Sequence, residues 1–362
     1  MTTILKGYEF KTIYPINETR LLGLKSGEKL YNTLIYNNFS RVMNWMARSV
    51  APGVFERQTE TIEKLISENI ESYKPDLVVS VIPYVNLAAS EAARKADIPF
   101  LLITIDNDLE TWVHGFEFLK QPNFHITIGT DLPTTRGMLE KFNIKSECIK
   151  TIGLPLRPQF HSDKTKEELR REYKIERGHS VILLMMGGIG ARRCIQYAKK
   201  ILGMDLKTHL FLCVGKNLKL TSKLEKIRRH PSNALTVIPF TDKIHEFMIL
   251  SDLLITKPGP GTINEAIVTG TPVLLDQTGE VLFWEKINIE LTKTRGIGSS
   301  IEDISELESH LKEIFFNEPV RNKLQKAISE VSPNEFVQKI QPLIDSLCQE
   351  KGAVQKEFVK IK

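Results

Sequence analysis

Lys257-Pro-Gly-Pro-Gly-Thr-Ile-Asn-Glu-Ala266 is the stretch on which the fold turns. Asp252-Leu-Leu-Ile-Thr256 runs into it and reads as a buried strand. Ala266-Ile-Val-Thr-Gly270 reads as helix closed by glycine, and Pro272-Val-Leu-Leu275 as the next strand. Strand, turn, helix, strand is the repeating unit of a parallel α/β sheet. It is also a layout that suits an anion: glycines let the backbone come close, and the first N–H groups of a helix have no partner inside it. Glu265 adds a carboxylate able to accept hydrogen bonds from two ribose hydroxyls. The same pattern serves plain packing in many α/β proteins, so its meaning depends on its surroundings.

Those surroundings repeat the unit. Strand-length apolar runs occur at Glu9–Ile13, Leu77–Ile82, Phe100–Ile105 and His125–Gly129. A second set occurs at Val181–Met185, His209–Val214, Ala234–Ile238, Leu253–Ile255 and Val273–Leu275. Helical stretches such as Phe55–Ser72 and Asn86–Lys95 fall between them. Two such sets predict two doubly wound, Rossmann-like domains. Gly153-Leu-Pro-Leu-Arg-Pro-Gln-Phe160 breaks regular structure and marks the boundary, with a charged helix from Lys164 to Glu172 after it. Residues 1–155, 156–331 and 332–362 are the expected divisions. The last is read as helix from Glu335 to Lys362, because Phe336, Ile340, Leu343, Ile344 and Leu347 stand at helical spacing.

The 362 residues carry a net charge of +5, with 41% hydrophobic and 26% charged residues. That balance fits a globular protein with a phosphate-bearing or anionic-membrane partner. No uncharged apolar run reaches the ~18 residues of a membrane span. The opening lacks the apolar core of a secretory signal. A cytoplasmic protein, peripheral at a membrane, is expected. Cys148, Cys194, Cys213 and Cys348 show neither metal-ligand nor disulfide spacing.

The residues Lys257, Gly259, Thr262, Glu265, Ala266, Gly270 and Pro272 resemble the donor-nucleotide motif of GT-B glycosyltransferases. The branch is that of monogalactosyldiacylglycerol synthases, processive diacylglycerol glucosyltransferases and the peptidoglycan lipid-intermediate N-acetylglucosaminyltransferase. The resemblance extends from about Gly7 to Gly298. It implies a GT-B fold and an inverting transfer of a hexose from a UDP-sugar to a lipid hydroxyl, most plausibly diacylglycerol. No metal and no cofactor are implied beyond the UDP-sugar donor.

The resemblance also assigns residues. Gly187, Gly188 and Gly190, in Met185-Met-Gly-Gly-Ile-Gly190, correspond to the glycine loop that opens the second domain. Gly188, Gly261 and Thr262 would cradle the diphosphate, and Glu265 would hold the ribose. Lys216 and Asn217 match a Gly-Arg-Asn segment, with lysine for arginine. Phe240, Thr241 and Ile244 fall where the family holds uracil, although Phe240 and Ile244 read equally well as core. Glu285 and Asn288 keep a Glu-x-x-Asn spacing that faces the donor sugar, in a loop about two residues longer than usual; Glu280 competes with Glu285. Arg192 and Arg193 stand at a helix start, where their charge opposes the local dipole.

In the first half, Thr104-Ile-Asp-Asn-Asp-Leu-Glu-Thr-Trp-Val-His114 resembles a Thr-Asp-Leu-x-x-x-His segment of the lipid-acting members. The resemblance makes Asp108 the base that takes the acceptor's proton. His114 is offset by one residue. Asp108 also suits a helix cap, and Asp106-Asn-Asp108 is the metal-holding triplet of a different glycosyltransferase fold. Tyr31 to Phe39, with Trp45, Met46 and Phe55, is aromatic and apolar, as an acceptor groove or membrane contact would be.

The family's first domain opens with a strand, a glycine-rich loop and a helix. Gly7–Ile13 resembles the family's second strand, and only six residues precede it. An upstream start, another segment in the vacant place, or impaired catalysis would each account for this; weak or absent transfer by the chain as given is the expectation. UDP-hexose, a lipid acceptor such as diacylglycerol and an anionic membrane surface are the expected partners, with no nucleic acid. A polyprenyl-linked acceptor, a UDP-sugar 2-epimerase and a non-catalytic UDP-sugar-binding subunit are the alternatives.

Overall fold

The apolar runs become two six-stranded sheets in the computed structural model, which describes residues 5, 7–18, 39–119, 124–186, 191–331, 334–349 and 357–361. Every strand pair is parallel. A parallel sheet buries both faces, which is why its strands read as unbroken apolar runs rather than alternating ones. Contacts divide the chain into two units: the described residues up to 155 with those from 334 onward, and residues 156–331.

The first unit's sheet runs β1 (Glu9–Ile13), β12 (Glu357–Ile361), β2 (Leu77–Ser80), β3 (Phe100–Ile103), β4 (Phe124–Ile128), β5 (Ile149–Thr151). One face is covered by the Ala51–Tyr73 helix, through Phe55, Ile62, Ile66 and Ile70, and by the Asn86–Lys95 helix. The second helix presents Ala88, Ala89, Ala92 and Ala93, small residues that let it lie close to the strands. The Phe336–Gln349 helix covers the other face with Phe336, Ile340, Ile344 and Leu347 against Leu77, Val79, Leu101 and Ile103.

The C-terminal tail differs from the sequence expectation. The described helix runs Phe336–Gln349, and Glu357-Phe-Val-Lys-Ile361 is a strand paired in parallel to β1 on one side and β2 on the other. Aromatic and β-branched residues in succession favour strand over helix, and apolar periodicity in the preceding helix masks the change. β12 thus stands in a central place of this sheet, beside the strand that resembles the family's second. Among the described residues β1 has no other strand neighbour and joins the sheet through β12. β5 and β11 (Gly298–Ile301) were also not read as strands; both are short, polar edge strands.

The second unit's sheet runs β11, β10 (Val273–Asp276), β9 (Leu253–Thr256), β6 (Ser180–Met185), β7 (Thr208–Gly215), β8 (Ala234–Pro239). Counted from β6, this is the doubly wound order, with its reversal between β6 and β9. The Ala191–Gly203 helix covers one face with Cys194, Tyr197, Ala198, Ile201 and Leu202. Ligands of such sheets bind outside the strands' carboxyl ends at the reversal. The turn after β9, Lys257–Pro260, stands there.

Ile361 is fully buried in the first unit's core. Replacing it with alanine is expected to cost about 2–5 kcal/mol in urea unfolding. A change within about 0.5 kcal/mol, as for an exposed position, would contradict the central placement of β12.

Candidate functional site

Around the Lys257–Ala266 stretch the chain turns sharply off β9. Gly259 N–H donates to the Lys257 carbonyl at 2.8 Å, Gly259 caps the helix, and Pro260 takes its first position. Proline there costs nothing, because that N–H would have no helical partner. Gly261 is exposed and Thr262 half-exposed, in the first helical turn, whose N–H groups have no partner inside the helix. Asn264 is buried and bonds back to the Pro260 carbonyl.

Asn288 is fully buried, and its amide donates to the Pro258 carbonyl at 2.8 Å. It thereby ties the helix that follows Glu285 to the turn after β9. Glu285 ends a short 3-10 turn, Phe283–Glu285, close to Gly259. Burial pushes its carboxyl above the usual range, and Lys257 opposes that shift.

Glu265 is 17% exposed and pairs with Arg157 at 3.3 Å. Its carboxyl is raised by burial and lowered again by that guanidinium. Arg157 also lies over the Phe160 ring, at 5.0 Å. This partner lies 108 residues from Glu265. Sequence reasoning used Arg157 only as part of a boundary, since nothing local to Gly153–Phe160 points to Glu265.

At the ends of β7 and β8, Phe240 N–H donates to the Gly215 carbonyl at 2.9 Å, joining two turns. Phe240 is 71% exposed, with the Lys216 ammonium 5.6 Å from its ring centre. It is therefore not a core residue, unlike Ile244, which is buried. Thr241 accepts from the Lys243 N–H, and Asn217 leads into the short Leu218–Leu220 turn. Gly187, Gly188, Gly190 and the segment Tyr31 to Asn38 lie outside the described residues.

Asp108 belongs to the first unit and is 7% exposed. It sits in a chain of tight turns: Asp106 accepts from the N–H groups of Asn107 and Asp108, and Asp108 accepts from Glu110. Asn86, also buried, holds this loop by donating to the Trp112 carbonyl at 2.8 Å. A Cβ on Gly129 would stand 2.7 Å from the Asn107 side chain, so glycine there makes room for the loop. Burial pushes the Asp108 carboxyl up to about 6, with the Glu110 N–H and Arg48 pulling the other way. His114 pairs with Glu56 at 3.1 Å.

Residues 181–275 match the glycosyltransferase family 28 C-terminal domain. A processive diacylglycerol beta-glucosyltransferase of Bacillus subtilis (strain 168) is 23% identical over 269 residues, covering 74% of this chain and 68% of that protein. Monogalactosyldiacylglycerol synthase 1, chloroplastic, of Arabidopsis thaliana is 28% identical over 300 residues, covering 79% of this chain and 54% of that protein. The chain thus spans about half the length of that plant relative. Among solved structures, Acinetobacter baumannii MurG superposes with a TM-score of 0.56 at 15% identity, over 80% of this chain and 79% of that one. An S. aureus MnaA structure with UDP gives 0.58 at 16% identity, over 84% of each. With two parallel-sheet units and this motif, the chain is a glycosyltransferase of the GT-B fold. Within that class its sequence is similar to the diacylglycerol glucosyltransferases and monogalactosyldiacylglycerol synthases, at 23% and 28% identity to the two named above.

A carboxyl held above its unfolded value contributes stability below pH 3.8, and that contribution is lost as pH rises to about 6. Asp108→Asn is therefore expected to stabilise the protein at pH 7.5 by on the order of 1–3 kcal/mol and to leave it unchanged near pH 3.5, as urea unfolding at the two pH values would report. Equal effects at both would contradict the buried, ionised carboxylate.

Proposed function

We propose that this protein moves a hexose from a UDP-sugar to the hydroxyl of a lipid, diacylglycerol in particular, with inversion at the anomeric carbon. The observation that carries this reading is Glu265, a largely buried carboxylate on the helix whose first N–H groups have no partner inside it, at the reversal point of a parallel sheet. Such an arrangement suits a ribose beside a diphosphate. Phe240 and Lys216 offer a flat apolar face and a cation beside it for uracil. The relatives named above as glycolipid synthases support the lipid acceptor.

In this mechanism Asp108 takes the proton from the acceptor hydroxyl. That oxygen forms a bond to the anomeric carbon from the face opposite the phosphate, the carbon–oxygen bond to the diphosphate breaks, and its electron pair leaves with UDP. A carboxyl with a value of about 6 is ionised at neutral pH yet basic enough to accept a proton. Developing charge on the diphosphate is met by helix N–H groups and cations.

A membrane contact belongs to the same reading. Phe39, Val42 and Trp45 are exposed at a spacing of three from the N-cap to the last residue of the Ser40–Trp45 helix, and Arg41 and Arg48 are exposed nearby in sequence. Aromatic and apolar side chains flanked by cations suit the interface of an anionic bilayer.

Calorimetry is expected to show UDP binding that Glu265→Ala weakens by about 1–3 kcal/mol, the scale of hydrogen bonds to a charged group. Unchanged affinity would remove Glu265 from the ribose. Trp45→Glu is expected to reduce co-sedimentation with phosphatidylglycerol vesicles several-fold while UDP affinity stays constant. Undiminished co-sedimentation would place the membrane contact elsewhere.

A further inference from the structure

Arg193 stands in the first turn of the Ala191–Gly203 helix, where a positive charge opposes the helix dipole. The structure supplies its counter-ion. Arg193 Nη1 donates to Asp276 Oδ2 at 2.9 Å, and the Asp276 side chain is fully buried. The other oxygen of Asp276 accepts from the Tyr197 hydroxyl at 3.0 Å, the Thr278 N–H at 3.0 Å and the Thr278 hydroxyl at 2.6 Å. Asp276 is thus fixed before it meets the arginine. On its far side the guanidinium lies against the backbone of Gly279: a Cβ there would stand 1.6 Å from Nη2.

Arg193 is 20% exposed, and among the described residues only Asp276 accepts a hydrogen bond from it. A guanidinium carries five donors, so most of its capacity is unused. Asp276 neutralises the charge, but the cost of taking a guanidinium out of water is repaid in full only when its remaining donors are satisfied too. Register shows where it lies. Met185, Thr256 and Leu275 stand side by side across β6, β9 and β10. Arg193, in the first turn of the helix that follows β6, meets Asp276 at the end of β10, and β9, from which the Lys257–Pro260 turn leaves, lies between those two strands.

We propose that Arg193 binds the diphosphate of the nucleotide donor, and that Asp276, with Tyr197, Thr278 and Gly279, is built to position it. Resting on the UDP-sugar reading, this adds a named cation for the leaving group. As the carbon–oxygen bond of the donor breaks, negative charge grows on the diphosphate, and a pre-oriented guanidinium meets it without rearrangement.

Calorimetric titration with uridine, UMP and UDP tests this. Arg193→Gln is expected to weaken UDP at least tenfold and leave uridine within about twofold of the unsubstituted protein. Gly279→Ala, which displaces the guanidinium without removing it, is expected to give the same phosphate-selective loss. Asp276→Asn in the Arg193→Gln background is expected to cost no further UDP affinity, because Asp276 acts through Arg193. An unchanged ratio of UDP to uridine affinity in Arg193→Gln would overturn the proposal while leaving the UDP-sugar reading intact. An unsubstituted protein that binds neither uridine nor UDP would overturn both.

Discussion

Sheets made only of parallel strands bury both faces, and that constraint arranges everything else here. Polar backbone and side-chain groups are driven to the strand ends. At the carboxyl ends the chain must leave each strand and enter a helix, so free N–H groups collect there. In residues 156–331 the winding reverses between β6 and β9, the place where such sheets take their ligands. Lys257, Gly259, Thr262, Glu265, Glu285 and Arg193 all belong to this one edge of one sheet.

The same constraint gives β12 its weight. A central strand must satisfy two neighbours, and here the chain's closing residues do so for β1 and β2. The expectation that some other segment fills the place beside β1 was open in the sequence, but which segment was not. Helical periodicity from Phe336 to Leu347 concealed a switch to extended structure at Glu357. Five residues with charges at Glu357 and Lys360 do not look like the core of a sheet until their neighbours are known.

The donor turn was legible because its chemistry is local. Glycines, a proline at the first helical position and a glutamate a few residues on are set by sequence spacing alone. What surrounds it was not legible, because it depends on pairs far apart in the chain. Arg157 reaches Glu265 across 108 residues, and Arg193 reaches Asp276 across 83. Asp276 did leave a trace, as a carboxylate closing the apolar run Val273-Leu-Leu275. Asn288 keeps the expected spacing, but its bond to the Pro258 carbonyl, 30 residues away, is not visible in spacing alone. The exposed ring of Phe240 resolves the opposite ambiguity, where sequence alone allowed either core or ligand contact.

The central claim is that the turn at Lys257–Ala266 holds a uridine nucleotide. Saturation-transfer NMR with an equimolar mixture of UDP, ADP, GDP and CDP tests it most directly, because all four share the diphosphate and ribose and differ in the base. The account predicts selective saturation of UDP, strongest at the ribose and uracil protons that Glu265 and Phe240 would face. Equal saturation of all four, or preference for a purine, would contradict it.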